Sequence, residues 1–150
     1  MSDIAVKIRG VYKIFGPNPQ SMIQLVKNGL SKQELMDTHG HILGLENIDI
    51  DIDTQGIQVI MGLSGSGKST LIRHINRLID PTAGEITVAG RNVLTMNKAE
   101  LRTFRRFDIS MVFQRFSLFP HRTVSENVAY GMTIQNLEKA TVSERCQKWL

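Results

Sequence analysis

The chain has 150 residues, 41% of them hydrophobic, which is enough for one ordinary domain with its own core. Eighteen basic and 14 acidic side chains leave a net charge of +4, a mild excess that suits phosphate ligands or an anionic membrane surface as readily as nucleic acid. A single cysteine, Cys146, excludes an internal disulfide framework and fits a reducing cytosol, and no apolar run is long enough to span a bilayer.

Met1-Ser2-Asp3-Ile4 lacks the basic region and apolar core of a secretory leader. The expected setting is therefore cytosolic, or peripheral on a membrane through a partner. Ile4, Val6 and Ile8 alternate with Ala5, Lys7 and Arg9, which predicts a first strand. A second short segment runs from Val11 to Phe15 and is broken by Gly16-Pro17-Asn18-Pro19. Residues 20–40 change character. Met22, Ile23, Val26 and Leu30 share a helical face, and Ser31-Lys32-Gln33-Glu34 reads as a capping box with Leu30 and Leu35 as its staple. Two short helices with a break near Gly29 are expected. The His39-Gly40-His41 pair that ends them has no Cys or acidic partner at ligand spacing, so a loop reading is preferred to a metal site.

From Leu45 to Asp53 the apolar Ile48, Ile50 and Ile52 alternate with Asp49, Asp51 and Asp53. A calcium loop is rejected, because the sixth position is Thr54 rather than glycine and the twelfth is Ile60 rather than glutamate. A strand with a solvated acidic face is the better account. Ile57-Gln58-Val59-Ile60-Met61 reads as a buried strand. It leads into Gly62-Leu63-Ser64-Gly65-Ser66-Gly67-Lys68-Ser69-Thr70, which matches G-x-x-x-x-G-K-[ST]. In such a loop successive amide groups turn inward around phosphate, the lysine reaches the β- and γ-phosphates, and the following hydroxyl ligates Mg²⁺. Leu71, Ile72, Ile75, Leu78 and Ile79 then follow at helical spacing, which places the loop at a helix N-terminus, where the macrodipole favours anions.

Asp80-Pro81-Thr82-Ala83-Gly84 is a stop and turn, Glu85–Val88 a strand, and Ala89-Gly90-Arg91-Asn92 a second turn. Asn97 caps a helix, with Glu100 in the box position and Met96 and Leu101 as the staple. Its Arg102, Arg105 and Arg106 fit a solvated face better than a nucleic-acid stripe, and no nucleic-acid partner is expected. Ile109–Phe113 is the next strand, ending at Gln114. Thr141-Val142-Ser143-Glu144 opens a last helix whose stripe of Val142, Cys146, Trp149 and Leu150 calls for a partner. Cys146 reads as a packing residue on that helix.

Three further stretches narrow the class of phosphate loop: Leu78-Ile79-Asp80-Pro81-Thr82-Ala83-Gly84-Glu85-Ile86 with Gly90, Met111-Val112-Phe113-Gln114, and Leu118-Phe119-Pro120-His121-Arg122-Thr123-Val124-Ser125-Glu126-Asn127-Val128. Together with the loop they resemble the ATP-binding subunit of an ABC transporter. Tyr12-Lys13-Ile14-Phe15-Gly16, followed by a helical insertion over 17–41 that carries Lys27-Asn28-Gly29-Leu30-Ser31-Lys32, is similar to the ATPases of glycine betaine/proline-type (quaternary amine) importers.

The resemblance implies an α/β P-loop NTPase of the ABC ATPase type. It would have an N-terminal antiparallel β-subdomain, the start of a helical subdomain and a truncated core sheet. Residues 1–150 would then be an incomplete nucleotide-binding domain. The resemblance further implies that Phe15 stacks on adenine, with Tyr12 the less favoured stand-in. Gly62, Ser64, Gly65, Ser66, Gly67, Lys68, Ser69 and Thr70 would hold ATP, and Ser69 and Gln114 would meet Mg²⁺. Lys68 and Gln114 would carry the catalytic roles. The implied partners are transmembrane permease subunits, a second copy of the ATPase and, indirectly, a periplasmic or extracellular substrate-binding protein. The implied place is the cytoplasmic face of a prokaryotic inner membrane.

This sequence departs from the family pattern in three places. It holds no Leu-Ser-Gly-Gly-Gln signature, no apolar strand ending in Asp-Glu and no later switch histidine, because His121 does not match that position. The chain ends about where the helical subdomain begins. ATP–Mg²⁺ recognition with negligible hydrolysis is therefore expected of these residues by themselves. The alternative is a non-catalytic nucleotide-binding fragment that docks on membrane subunits through the region from Gln114 to Val128.

Overall fold

Alternating apolar residues build one long strand, β1 (Ile4–Phe15), where two segments were expected. The break at Gly10 is a bulge: the pairing slips between Ile8 and Val11, Gly10 takes φ +53°, and its amide donates to the Asp49 carboxylate at 3.0 Å. The computed structural model describes residues 4–113 and 117–150. They divide into one unit that ends at Met96 and another that begins at Asn97.

In the first unit β1 pairs antiparallel with β2 (Ile42–Asp53) on one side and with β3 (Ala83–Val88) on the other. A two-residue strand, β4 (Arg91–Asn92), completes the order β2-β1-β3-β4. Ile8, Val11, Ile86 and Val93 are fully buried. The acidic face of β2 is exposed, as the alternation predicts, and Asp51 there meets Arg9 at 2.6 Å. That guanidinium holds the Asp51 carboxyl below the usual carboxylate range.

The 17–41 insertion connects β1 to β2. A single 3-10 turn (Pro19–Met22) leads into α1 (Ile23–Lys27) and α2 (Lys32–His39), with the chain breaking at Asn28 and Gly29. Ser31 and Glu34 form the expected capping box; the Ser31 hydroxyl and amide hold the Glu34 carboxyl below its ordinary range. Val26 and Leu35 bury themselves with Tyr12, Ile14 and Leu43, so the insertion is packed onto the end of the sheet.

Two expected strands are absent. Ile57–Met61 and Ile109–Phe113 have no regular structure, and Ile57, Val59 and Met61 are 93%, 62% and 87% exposed. Their composition suits a buried parallel strand, but a strand needs neighbours, and every ladder among the described residues is antiparallel within the four-stranded sheet. The helix after the phosphate loop, α3 (Lys68–Ile75), buries Leu71 and His74, leaves Ile72 exposed and ends before Leu78 and Ile79, so its apolar stripe is shorter than expected.

The second unit is helical. Asn97 and Glu100 box the start of α4 (Lys98–Phe107), which buries Phe104. Thr123 and Glu126 box the start of α5 (Val124–Ile134), a helix whose T-x-x-E signal stood in the sequence unread. The last helix, α6 (Lys139–Trp149), starts two residues before the expected Thr141. Cys146 is buried, within 4.0 Å of the Ser125 carbonyl of α5, while Trp149 and Leu150 stay exposed. The apolar stripe of α6 is thus only half covered. Among the described residues no helix is long and apolar enough to cross a membrane.

Candidate functional site

The site is built where the open ends of β1 and β2 approach the start of α3. A hollow of about 290 Å³ is lined by Phe15, Ile42, Leu43, Gly44 and the run Gly65–Thr70. Phe15 and Ile42 are cross-strand partners, and the next pair, Ile14 and Leu43, is buried under the insertion. Packing beneath the sheet end therefore holds a partly exposed aromatic ring above it. The Lys13 ammonium lies 5.0 Å from the centre of the Phe15 ring and donates to the Asp80 carbonyl at 2.8 Å.

Two glycines set the distance between this ring and the loop. At Gly67 the backbone takes φ +91°, and a Cβ would lie 2.6 Å from the Gly44 carbonyl oxygen. At Gly44 a Cβ would lie 2.6 Å from the Phe15 ring. The loop thus meets the Gly44 backbone and the Phe15 ring lies on that same backbone, and a methyl group at either glycine would spread them apart.

Gly67 is also the N-cap of α3 and offers no side chain to its amides. Within the loop the Ser66 amide donates to the Leu63 carbonyl at 3.2 Å, and the first bond of the helix runs from the Leu71 amide to the Gly67 carbonyl, at 2.8 Å. The amides of Lys68, Ser69 and Thr70 stand in the helix turn that has no intrahelical acceptors, at the positive end of the dipole. The Lys68 ammonium folds back over the loop, donating to the carbonyls of Gly62 and Leu63 at 2.8 and 2.6 Å and to the Ser66 hydroxyl at 3.3 Å. Backbone amides, one ammonium and the Ser69 hydroxyl thus converge beside an aromatic face, an arrangement suited to a phosphorylated ligand carrying a planar ring.

Of the residues singled out in the sequence, Phe15 and Gly65–Thr70 meet in this hollow. Gly62 takes part through its carbonyl, and Ser64 lies in the exposed turn ahead of the hollow without lining it. Gln114 lies outside the described residues. Ile42 and Gly44 were missed. No alternation marks them, because Ile42-Leu43-Gly44-Leu45 is apolar throughout, and the start of the strand at Ile42 is set by its pairing with β1. At the His39–His41 pair, both ring nitrogens of His41 face backbone carbonyls, those of His39 and Pro17, at 2.6 Å each.

Comparison with known proteins decides the family. Residues 45–150 match the family model described as ABC transporter. The chain belongs to the ABC transporter family. Among ABC transporter proteins it is 48% identical over 147 residues to the glycine betaine transport ATP-binding protein OpuAA of Bacillus subtilis, covering 98% of this chain and 34% of that protein. It is 44% identical to the glycine betaine/proline betaine transport system ATP-binding protein ProV of Escherichia coli, again covering 98% of this chain and 36% of the relative. The trimethylamine N-oxide transport system ATP-binding protein TmoW of Pelagibacter ubique is 43% identical over 138 residues. The chain thus spans about a third of the length of these curated relatives. In structure it is similar to the ATP-binding cassette MJ0796, solved as a dimer bound to ADP and Pi, with a TM-score of 0.74 at 28% identity over 95% of this chain and 54% of that one. The α/β fold is that of an ABC ATPase cassette, with the antiparallel part of its sheet formed here.

Proposed function

We propose that this chain is the nucleotide-binding portion of an importer ATPase for glycine betaine or a related quaternary amine, and that the hollow between Phe15 and α3 takes ATP with Mg²⁺. The observation that carries the reading is the meeting of Phe15 and Gly65–Thr70 around one hollow. The adenine would lie on Phe15, a contact tolerant of base identity because every base has a π-face. The β- and γ-phosphates would take the loop amides and the Lys68 ammonium, exchanging the carbonyls of Gly62 and Leu63 for phosphate oxygens. Ser69 would offer its hydroxyl to Mg²⁺, with Gln114 the second residue assigned to the metal and to the attacking water. The metal would neutralise phosphate charge, while the protein's part in phosphoryl transfer is positioning and electrostatic stabilisation.

The solute class rests on the relatives, which are glycine betaine, proline betaine and trimethylamine N-oxide transport ATP-binding proteins, and the second copy on the dimeric MJ0796 cassette. The reading takes in a second copy of the ATPase and membrane-spanning permease subunits at the cytoplasmic face of the membrane. A substrate-binding protein on the far side would act indirectly. The permease would seat in an apolar hollow of about 370 Å³ lined by Leu118, Phe119, Pro120, Arg122, Val124 and Val128. The Arg122 guanidinium there lies 5.0 Å from the ring centres of both Phe119 and Tyr130, which fixes its aromatic wall.

Calorimetric titration of the chain with ATP and Mg²⁺ tests the site. Lys68→Ala is expected to weaken binding about 10- to 100-fold, the worth of a charge-assisted hydrogen-bond set. Phe15→Ala should cost about tenfold for ATP and spare inorganic tripolyphosphate. Unchanged ATP affinity in Lys68→Ala would remove the basis of the assignment. The solute is tested by uptake of radiolabelled glycine betaine in cells that encode the chain; uptake that survives Lys68→Ala would count against it.

A further inference from the structure

The His39-Gly40-His41 run has chemistry that the nucleotide reading leaves unused. His41 is buried, with 7% of its surface exposed. Its Nδ1 lies 2.6 Å from the His39 carbonyl and its Nε2 2.6 Å from the Pro17 carbonyl. A neutral imidazole donates one of these bonds and a protonated one donates both. The two carbonyls stand at opposite ends of the 17–41 insertion, so one ring ties its entrance to its exit. The ring also lies flush against Gly16: a Cβ there would overlap the imidazole, and the backbone takes φ +143°.

The clasp stands directly beside the nucleotide hollow in the chain. Phe15 precedes Gly16, and Ile42 follows His41. These two flanking residues are cross-strand partners and form the apolar end of the hollow. The Phe15 ring in turn rests on the Gly44 backbone, whose carbonyl faces Gly67 of the loop. A displacement of the His41 ring therefore moves the turn that carries Phe15 and the first residue of β2 together, while the amides of α3 belong to a different element.

We propose that His41 is a positioning residue for the base-binding end of the hollow, through which the 17–41 insertion sets how well the site holds a nucleotide base. The inference rests on the nucleotide reading above and adds a role for the insertion to it. It makes a selective demand: loss of the clasp should weaken ligands that carry a base and spare ligands that are phosphate alone.

The test is calorimetric titration of the full chain with ATP and with inorganic tripolyphosphate, each with Mg²⁺, for the unaltered chain, His41→Leu and His41→Gln. His41→Leu should weaken ATP about tenfold, which is the loss of one stacking contact, and leave tripolyphosphate affinity unchanged. His41→Gln keeps an N–H donor at similar reach and should recover part of the loss. ATP affinity unchanged in His41→Leu, or an equal loss of both ligands, overturns the proposal, the second outcome marking a merely structural residue. If the thermal transition shows that His41→Leu does not fold, the same comparison is read from His41→Asn, whose shorter side chain cannot span both carbonyls, and equal affinities for ATP before and after that substitution overturn it. An unaltered chain that binds neither ligand refutes the nucleotide reading itself, a result distinct from any of these.

Discussion

At the scale of single residues, His74 links the phosphate-loop helix to pH. It is fully buried on α3, and its Nδ1 lies 2.7 Å from the Thr70 carbonyl. Burial pushes the imidazole below its ordinary value and outweighs the opposing pull of the Thr70 carbonyl, while the Lys13 charge adds to the depression and Asp80 opposes it. The folded chain thus favours the neutral ring, and the unfolded chain takes up the proton first as pH falls. The contribution to stability is fully present above the ordinary histidine range and is lost progressively as pH falls from that range toward the lowered value of the folded chain, with a slope limited to about 1.4 kcal/mol per pH unit for one proton. Denaturant melts at pH 7.5 and 5.5 should show this loss in the unaltered chain and a smaller one in His74→Leu. An identical pH dependence in both would place the effect elsewhere. None of this was legible in the sequence, because a histidine at one helix position gives no sign of whether it faces core or solvent.

At the scale of elements, the insertion is held by few but well-buried anchors. Leu35 is fully buried among Tyr12, Ile14, Val26 and Leu43. Leu35→Ala is expected to cost about 2–5 kcal/mol, the usual range for a large-to-small change in a core, and to loosen α2 ahead of the sheet. Hydrogen exchange should report it as faster exchange across 32–39 than across β1 and β3; uniform acceleration would mean that the insertion and the sheet open as one. The caps were the most legible part of the fold. Ser31 with Glu34 and Asn97 with Glu100 could be read directly, since a capping box is a local exchange in which two side chains satisfy the amides of the N-cap and N3 residues. The strand Ile57–Met61 could not, because a run of β-branched and apolar residues states a preference that only a neighbouring strand can realise. The same limit explains why β2 began three residues ahead of the expected Leu45: pairing with Phe15 and Ile14, not composition, extends it to Ile42.

At the scale of the whole molecule, the phosphate loop was legible because its glycines and lysine are contiguous in sequence, whereas the wall formed by Ile42 and Gly44 depended on strand pairing across the 17–41 insertion. The surface that remains has a consequence for the chain in solution. Ile57, Val59 and Met61 are largely exposed, as is Val112 at 93%, in runs that lack both regular structure and ladder partners. Exposed apolar stretches outside any ladder pair readily with another chain, and a net charge of only +4 offers weak repulsion. The 150-residue chain is therefore expected to self-associate, eluting in size exclusion with light scattering well above its monomer mass of 16.9 kDa. Placing Val59→Lys and Val112→Lys together should shift it toward monomer, since charge on such runs blocks edge-to-edge pairing. If association instead ran through the exposed Trp149 and Leu150 of α6, the double variant would leave the elution unchanged and Trp149→Lys would correct it. A monomeric unaltered chain with one cooperative thermal transition would show that these runs are covered in solution, and would refute the prediction.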